Sequence, residues 1–191
     1  MTSIYFVRHA EPVHSWEVDR TRPLTAEGLE DSKKVTHVLE DVKLDYAISS
    51  PYRRSVDTIK DCIDTRGLNL HTDERLRERE SGPDGRTHEM IRKRWENMEY
   101  HEEGGESLRM LQQRNMEALL ELLREHEGKN IILGTHGSAL STILNYYDPS
   151  FDGESFFRIL DIMPYIIRLD FEGDQLVGKE ELLMIEKEFR G

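Results

Sequence analysis

A single cysteine, Cys62, stands among 191 residues. No disulfide can form within the chain and no thiolate cage can hold zinc, so the sequence suits a reducing compartment. No apolar run approaches the roughly 18 residues of a membrane span, and the N-terminus lacks the basic start and long apolar stretch of a secretory signal. A cytoplasmic protein without a membrane partner is the expectation. Positive charge is also scarce: 26 basic residues face 38 acidic ones, for a formal net charge of -12. That balance argues against nucleic acid or an anionic membrane surface, both of which need a basic footprint. If the substrate is an anion, the field of the whole chain repels it, and the binding site has to gather its arginines locally. Linkers, internal repeats and low-complexity stretches are absent too, so residues 1–191 read as one domain. A chain of this length buries roughly 70% of its unfolded surface in a single core.

What is present is a succession of apolar strands that end in chemistry. Ile4-Tyr5-Phe6-Val7 suits a strand buried on both faces of a sheet, and it runs straight into Arg8-His9-Ala10-Glu11. Thr25 is placed to cap a helix whose apolar side is Leu29, Val35, Val38 and Leu39, with Gly28 tolerated in its first turn. Tyr46-Ala47-Ile48 reads as a second strand ending in Ser49-Ser50-Pro51, with Pro51 opening a helix that carries Arg53, Arg54, Val56 and Ile59. Residues 68–72 form a short third strand, and the charged stretch 74–80 with the turn-rich 81–85 reads as a loop over the sheet edge. A polar helix over 88–99 and the break at Gly104-Gly105 precede a longer helix with Leu108, Leu111, Ala118, Leu119 and Leu122 on one face. Asn130-Ile131-Ile132-Leu133-Gly134 is a further buried strand, ending in Thr135-His136-Gly137-Ser138 before an apolar helix over 139–146. Residues 163–171 and 175–181 alternate as a hairpin across Glu172-Gly173-Asp174. Strands alternating with helices predict a three-layer α/β/α sandwich around a mainly parallel sheet.

Ligands of such sheets bind beyond the carboxyl ends of the strands. Arg8-His9, the Arg53-Arg54 helix start and Thr135-His136-Gly137 therefore converge on one rim. Two histidines and arginines beside a carboxylate suit phosphoryl transfer, where the work is positioning and neutralising oxygens on phosphorus. Arginine forks bind two such oxygens at once. A neutral imidazole can attack phosphorus and form a covalent intermediate, and neighbouring arginines favour that neutral form. His9 is the candidate nucleophile.

These residues carry a resemblance to the histidine phosphatase superfamily, in its phosphoglycerate mutase-like branch, along most of the chain. Arg8-His9-Ala10-Glu11 is similar to that family's Arg-His-Gly-Glu signature, Leu24-Thr25-Ala26-Glu27-Gly28 to its Leu-Thr-x-x-Gly, and Ser49-Ser50-Pro51-Tyr52-Arg53-Arg54-Ser55 to its Ser-Ser-Pro-Leu-x-Arg-Ala. Leu76-Arg77-Glu78 followed by Gly82, then Gly104-Gly105-Glu106-Ser107 and Thr135-His136-Gly137, continue the series in order. The resemblance implies a covalent phosphohistidine at His9, with Arg8, Arg54, His136 and Gly137 around the phosphoryl group. Glu78 would be general acid and base, and no metal or other cofactor would be needed. It favours Arg54 over Arg53, since the family's arginine stands three residues after the proline.

The departures matter as well. Ala10 replaces a glycine. The family's phosphate-contacting asparagine is missing, leaving Ser15 or His14 to substitute, and Glu80 competes with Glu78 in the same loop. The lid, about residues 79–104, is short. A short lid leaves a phosphohistidine open to water, which tilts the expectation to a phosphatase acting on a small phosphorylated substrate rather than a phosphoglycerate mutase. A non-catalytic phosphate-binding module is the third reading, and it expects a lost catalytic residue, whereas His9, Arg54, Glu78 and His136 are all present. His88, His101, Glu102 and Glu103 read as a solvated face rather than a metal site. Trp95 to Tyr100 and Tyr146-Tyr147 are open between lining the pocket and packing. Glu11, Glu17, Glu78 and Glu80 near the mouth point to lightly charged esters.

Overall fold

Strand β1 (Thr2–Arg8) is buried at every position, and its side chains alternate between two cores. The computed structural model describes residues 1–188. On one face of the sheet Ile4 and Phe6 join Leu119 and Leu122 of α4 (Leu108–Glu125) and Leu140 and Ile143 of α5 (Gly137–Tyr147). On the other, Tyr5 and Val7 join Val35 of α1 (Ala26–Val38) and Ile59, Cys62 and Ile63 of α2 (Arg53–Asp64). Cys62 is thus a core residue and not a reactive one, its thiol pushed up by burial. Three layers result.

The sheet has 6 strands in the order β3-β2-β4-β1-β5-β6. Here β2 is Tyr46–Ser49, β3 Leu70–Thr72 and β4 Asn130–Thr135, and they run parallel with β1. Strand β5 (Ile162–Glu172) lies antiparallel to β1 and forms a hairpin with β6 (Gln175–Glu186), turning at Gly173 with φ 59°. Register places Arg8 opposite Thr135 and Ser49 opposite Gly134, so the ends of β1, β2 and β4 are level on one rim. Among the described residues no helix is long and apolar enough to cross a membrane.

Some elements differ from the sequence reading. Pro51 does not open α2: Tyr52 is the N-cap and Arg53 the first helical residue. Helix α5 starts at Gly137, earlier than the apolar pattern indicated, because the pattern registers core-facing side chains and Gly137 has none. Helix α3 (His88–Glu96) ends before Asn97, and α6 (Gly153–Ile159) was not anticipated. The latter is a 7-residue helix set by a reciprocal cap between Asp152 and Ser155, too short to show a period.

Gly28 proves to be required rather than tolerated. The Thr25 hydroxyl caps α1 by accepting from Gly28 N at 2.9 Å, while Thr25 N donates to the Glu11 carbonyl at 2.9 Å. The helix start is so pressed against the strand-end loop that a Cβ on Gly28 would stand 2.4 Å from the Glu11 oxygen. Gly28→Ala is expected to cost about 1–3 kcal/mol through overpacking, read as a lower midpoint in urea unfolding. An unchanged midpoint would mean that α1 moves aside freely.

Candidate active site

The strand ends build the site from three directions. Arg8, the last residue of β1, is buried, and its Nη1 donates to the carbonyls of Ile159 at 2.6 Å and Ile162 at 3.1 Å, which anchors the guanidinium on the end of α6 and the start of β5. Gly137 lets α5 begin against that guanidinium, since a Cβ there would lie 3.0 Å from it. Next along, His9 Nδ1 lies 2.8 Å from its neighbour's carbonyl, Ala10 O. A carbonyl only accepts, so this contact assigns the proton to Nδ1 and leaves Nε2 with its lone pair. Nε2 faces Arg54 Nε at 3.3 Å. The Thr58 hydroxyl ties the two segments together, accepting from Ala10 N at 2.9 Å and donating to Arg54 O at 2.7 Å. Arg54 Nη1 is held by the Asp19 carbonyl at 2.7 Å and its carboxylate at 3.0 Å.

Burial, and then the charges of Arg54 and Arg8, push His9 well below its ordinary 6.5. Burial likewise lowers Arg8, to about 10, with the Glu78 carboxylate opposing, so the guanidinium keeps its charge at neutral pH. His136 is fully buried and also pushed well below 6.5, by burial first and then by Arg54 and His9. Its Nε2 pairs with Ser50 Oγ at 2.7 Å, its ring stands edge-on to His9 at 5.4 Å, and its Nδ1 has no partner among the described residues.

Glu78 docks on the N-terminus of α5. Its Oε2 accepts from Ser138 N at 3.0 Å, and its Oε1 from Ala139 N at 3.0 Å and Arg79 N at 2.9 Å. The loop carrying it is strapped from α4: Arg114 donates to the carbonyls of Arg75, Arg77 and Glu78 at 2.9, 2.6 and 2.8 Å and pairs with Glu106 at 2.7 Å.

One cavity of about 600 Å³ is lined by Arg8, His9, Arg54, Glu78 and Gly137 together. His136 lies behind His9 and does not line it. His14 lines the cavity, whereas Ser15 lines only an adjoining depression of about 330 Å³. Arg53 points away, 55% exposed and paired with Asp57. Glu80 is exposed and outside the cavity, so of the two competing carboxylates Glu78 is the one that faces it. Neither the Tyr146-Tyr147 pair nor Trp95 and Tyr100 line it: Trp95 packs on Phe151 and Phe156, and Tyr147 on Phe171.

The expected acidic mouth is corrected. Glu11 is buried beneath Thr25 and Glu17 lines only the outer depression, so among Glu11, Glu17, Glu78 and Glu80 only Glu78 reaches the cavity. Arginines dominate instead, including Arg22, Arg79, Arg86 and Arg94, none of which stood out in the sequence. Of the four residues read as a solvated face, His88, His101 and Glu103 are exposed and only Glu102 is not. Glu102 is buried between Arg79 at 2.7 Å and Arg94 at 3.2 Å, and although burial opposes its ionisation, the hydrogen bond from Arg79 wins and holds it at about 2. A charged run carries no local mark of burial. The signal that was available for Arg79 was its place next to Glu78.

The description Histidine phosphatase superfamily (branch 1) matches residues 4–177. The chain is 29% identical over 161 residues to the probable phosphoglycerate mutase GpmB of Enterobacter sp. (strain 638), covering 76% of this chain and 74% of that protein. Among solved structures it is similar to YhfR of Bacillus stearothermophilus, at 26% identity and TM-score 0.75, covering 93% of this chain and 95% of that one. It also shares the fold of a phosphoserine phosphatase from Entamoeba histolytica in complex with phosphoserine, at 18% identity and TM-score 0.76, covering 96% of each chain.

The lowered histidines make stability depend on pH. Below 6.5 the unfolded chain takes up protons that the folded His9 and His136 refuse, so their contribution is complete above 6.5 and is lost as pH falls from 6.5 towards their depressed folded values. Each histidine contributes a slope of up to about 1.4 kcal/mol per pH unit in that window. Urea unfolding at pH 7.5 and 5.5 is expected to show the loss, and His9→Asn to shrink it. An equal loss in both proteins would mean that the acid sensitivity arises elsewhere.

Proposed function

Because the chain belongs to the histidine phosphatase superfamily, we propose that it is a phosphatase that hydrolyses phosphate monoesters through a phosphohistidine at His9. The reading treats residues 1–191 as one catalytic domain with residues 79–104 as a short lid. The observation that carries it is the state of the His9 ring: the Ala10 carbonyl takes the Nδ1 proton, and Nε2 is left unprotonated beside Arg54 at the cavity wall.

In the first step the Nε2 lone pair forms the bond to phosphorus while the bond from phosphorus to the ester oxygen breaks. Arg8 and Arg54 neutralise the equatorial oxygens, aided by Gly137 at the start of α5, while His136 backs the His9 ring from behind the cavity wall. The leaving oxygen takes a proton from the carboxyl of Glu78. Oε2 is the better placed to carry it, since it accepts one backbone donor where Oε1 accepts two. In the second step the Glu78 carboxylate removes a proton from water, which attacks phosphorus and returns His9 and inorganic phosphate. Both arginines supply charge that a metal would otherwise bring, so chelators are expected to leave turnover intact.

A phosphoglycerate mutase is the second reading, favoured by the identity with the Enterobacter protein. It shares the covalent step but needs the intermediate shielded from water. Against it stands the lid, a single helix of 9 residues with its flanking loops, and a rim where Arg86 is 59% exposed.

The test is hydrolysis of 4-nitrophenyl phosphate with EDTA present. Native protein is expected to turn over, and His9→Ala to lose about 10³-fold or more in rate, as removal of a covalent nucleophile does. Glu78→Gln is expected to lose about 10²–10⁴-fold with a poor alkyl leaving group, and less with nitrophenolate, which needs little protonation. Turnover equal in native and His9→Ala protein would overturn the nucleophile. Turnover only with a bisphosphate primer would establish the mutase.

A further inference from the structure

At the mouth of the cavity one carboxylate stands among three arginines. Asp19, in the short helical turn Asp19–Thr21, lines the cavity and is 30% exposed. Its Oδ1 lies 3.0 Å from Arg54 Nη1, 2.9 Å from Arg22 Nη1 and 3.7 Å from Arg86 Nη2. No step of the reaction uses this group, although it touches one of the two arginines assigned to the phosphoryl oxygens.

Two roles are open to such a carboxylate: holding Arg54 in position, or offsetting part of its charge. Arg54 is oriented without it. The hydrogen bond from Nη1 goes to the backbone carbonyl of Asp19 at 2.7 Å, Nε is directed at His9 Nε2 at 3.3 Å, and the guanidinium lies over the Tyr52 ring at 5.2 Å. A carbonyl, an imidazole and an aromatic face are uncharged partners that together fix a planar group. The carboxylate meets the same Nη1 as an ion pair and is pinned from its other side by Arg22, a buried residue whose Nε and Nη2 donate to the Trp16 carbonyl at 3.3 and 3.1 Å. Held by Arg22, Asp19 keeps a negative charge beside the cavity with or without a ligand. Arg54 Nη2 has no partner among the described residues and is left for the incoming oxyanion.

We infer that Asp19 is the fixed counter-anion of the site: its carboxylate weakens the grip of Arg54 on phosphate, so that the inorganic phosphate formed in each cycle leaves readily. This rests on the phosphatase reading above, since hydrolysis is what leaves free phosphate in the pocket. A phosphate dianion on Arg54 shares one guanidinium with the carboxylate, and at that range partly buried charges are hardly screened. Tightening substrate and product alike would lower KM and slow release, which gains nothing in turnover. Arg8 follows the same pattern, its charge offset by Glu78 and Asp161, so each arginine of the phosphoryl pocket has an acid of its own.

The test is calorimetric titration of inorganic phosphate at pH 7.5 into native protein, Asp19→Asn and Asp19→Glu. Asp19→Asn keeps the backbone carbonyl and the side-chain shape and removes the charge, and is expected to bind phosphate about tenfold or more tightly. Asp19→Glu keeps the charge and is expected to stay within about threefold of native. Urea unfolding checks that both variants are folded. A Kd that is unchanged or raised in Asp19→Asn overturns the inference, because the carboxylate then serves to hold Arg54 in place. An Asp19→Glu protein that binds as tightly as Asp19→Asn overturns it as well, because charge is then not the cause.

Turnover gives a second readout. With 4-nitrophenyl phosphate, Asp19→Asn is expected to lower KM and the inhibition constant of phosphate by about the same factor as Kd, without raising kcat. A fall in kcat with an unchanged inhibition constant overturns the inference. Absence of aryl phosphate turnover in native protein, with the difference in Kd intact, would sink the phosphatase and keep Asp19 as the counter-anion of a phosphate site.

Discussion

The hydrogen bond from His9 Nδ1 to the Ala10 carbonyl decides which ring nitrogen faces Arg54, and much of the molecule is arranged to keep it. A histidine between two buried guanidinium groups stays neutral only if burial and repulsion act together, and burial requires a sheet covered on both faces. Ala10 is in turn held by Thr58, which reaches back to the carbonyl of Arg54. Loss of any of these would free the ring to rotate. The close seating of α1 against Glu11 through Gly28 holds the far side of the same loop.

Much of this was legible because it is local. The apolar run Ile4 to Val7 and the strand before Thr135 announce buried strands, and the residues that follow them in the chain are the residues at the rim. The choice of Arg54 over Arg53 was implied by the family resemblance alone, and burial of Arg54 against exposure of Arg53 agrees with it. Residues whose meaning comes from distant partners were not legible. Glu102 and Arg94 look like any solvated charges until Arg79, in another segment, brings them together. Ser15 was placed by counting along a motif, but the loop turns between His14 and Ser15 and carries only the former into the cavity. Gly28 looked merely tolerated because nothing in its own helix reveals the Glu11 backbone lying against it.

Charge shows the same division between global and local. The chain as a whole is acidic, yet the cavity at the strand ends is rich in arginine. The two facts are compatible because exposed surface charges are screened within about 8–10 Å at physiological ionic strength, whereas buried groups are not. The acidic residues that count are those inside, such as Glu102 and Glu106, and they serve to hold arginines in position. Asp19 pairs with Arg54 and Arg22 at the mouth.

The strap made by Arg114 has an evolutionary reach. The carbonyls of residues 75, 77 and 78 are gripped from α4, and the Glu78 carboxylate rests on α5, so its position is set mainly by the scaffold, with Arg79 N as the third donor. The segment from Arg79 to Glu102 is gathered by Arg79 and rests on that scaffold through Trp95 against Phe151 and Phe156 and through Glu80 against Glu106. Side-chain changes between those anchors can therefore reshape the cavity wall while the backbone donors of α5 keep the carboxylate in place. A fold divided in this way lets one wall of the cavity vary at little cost to the geometry of the other.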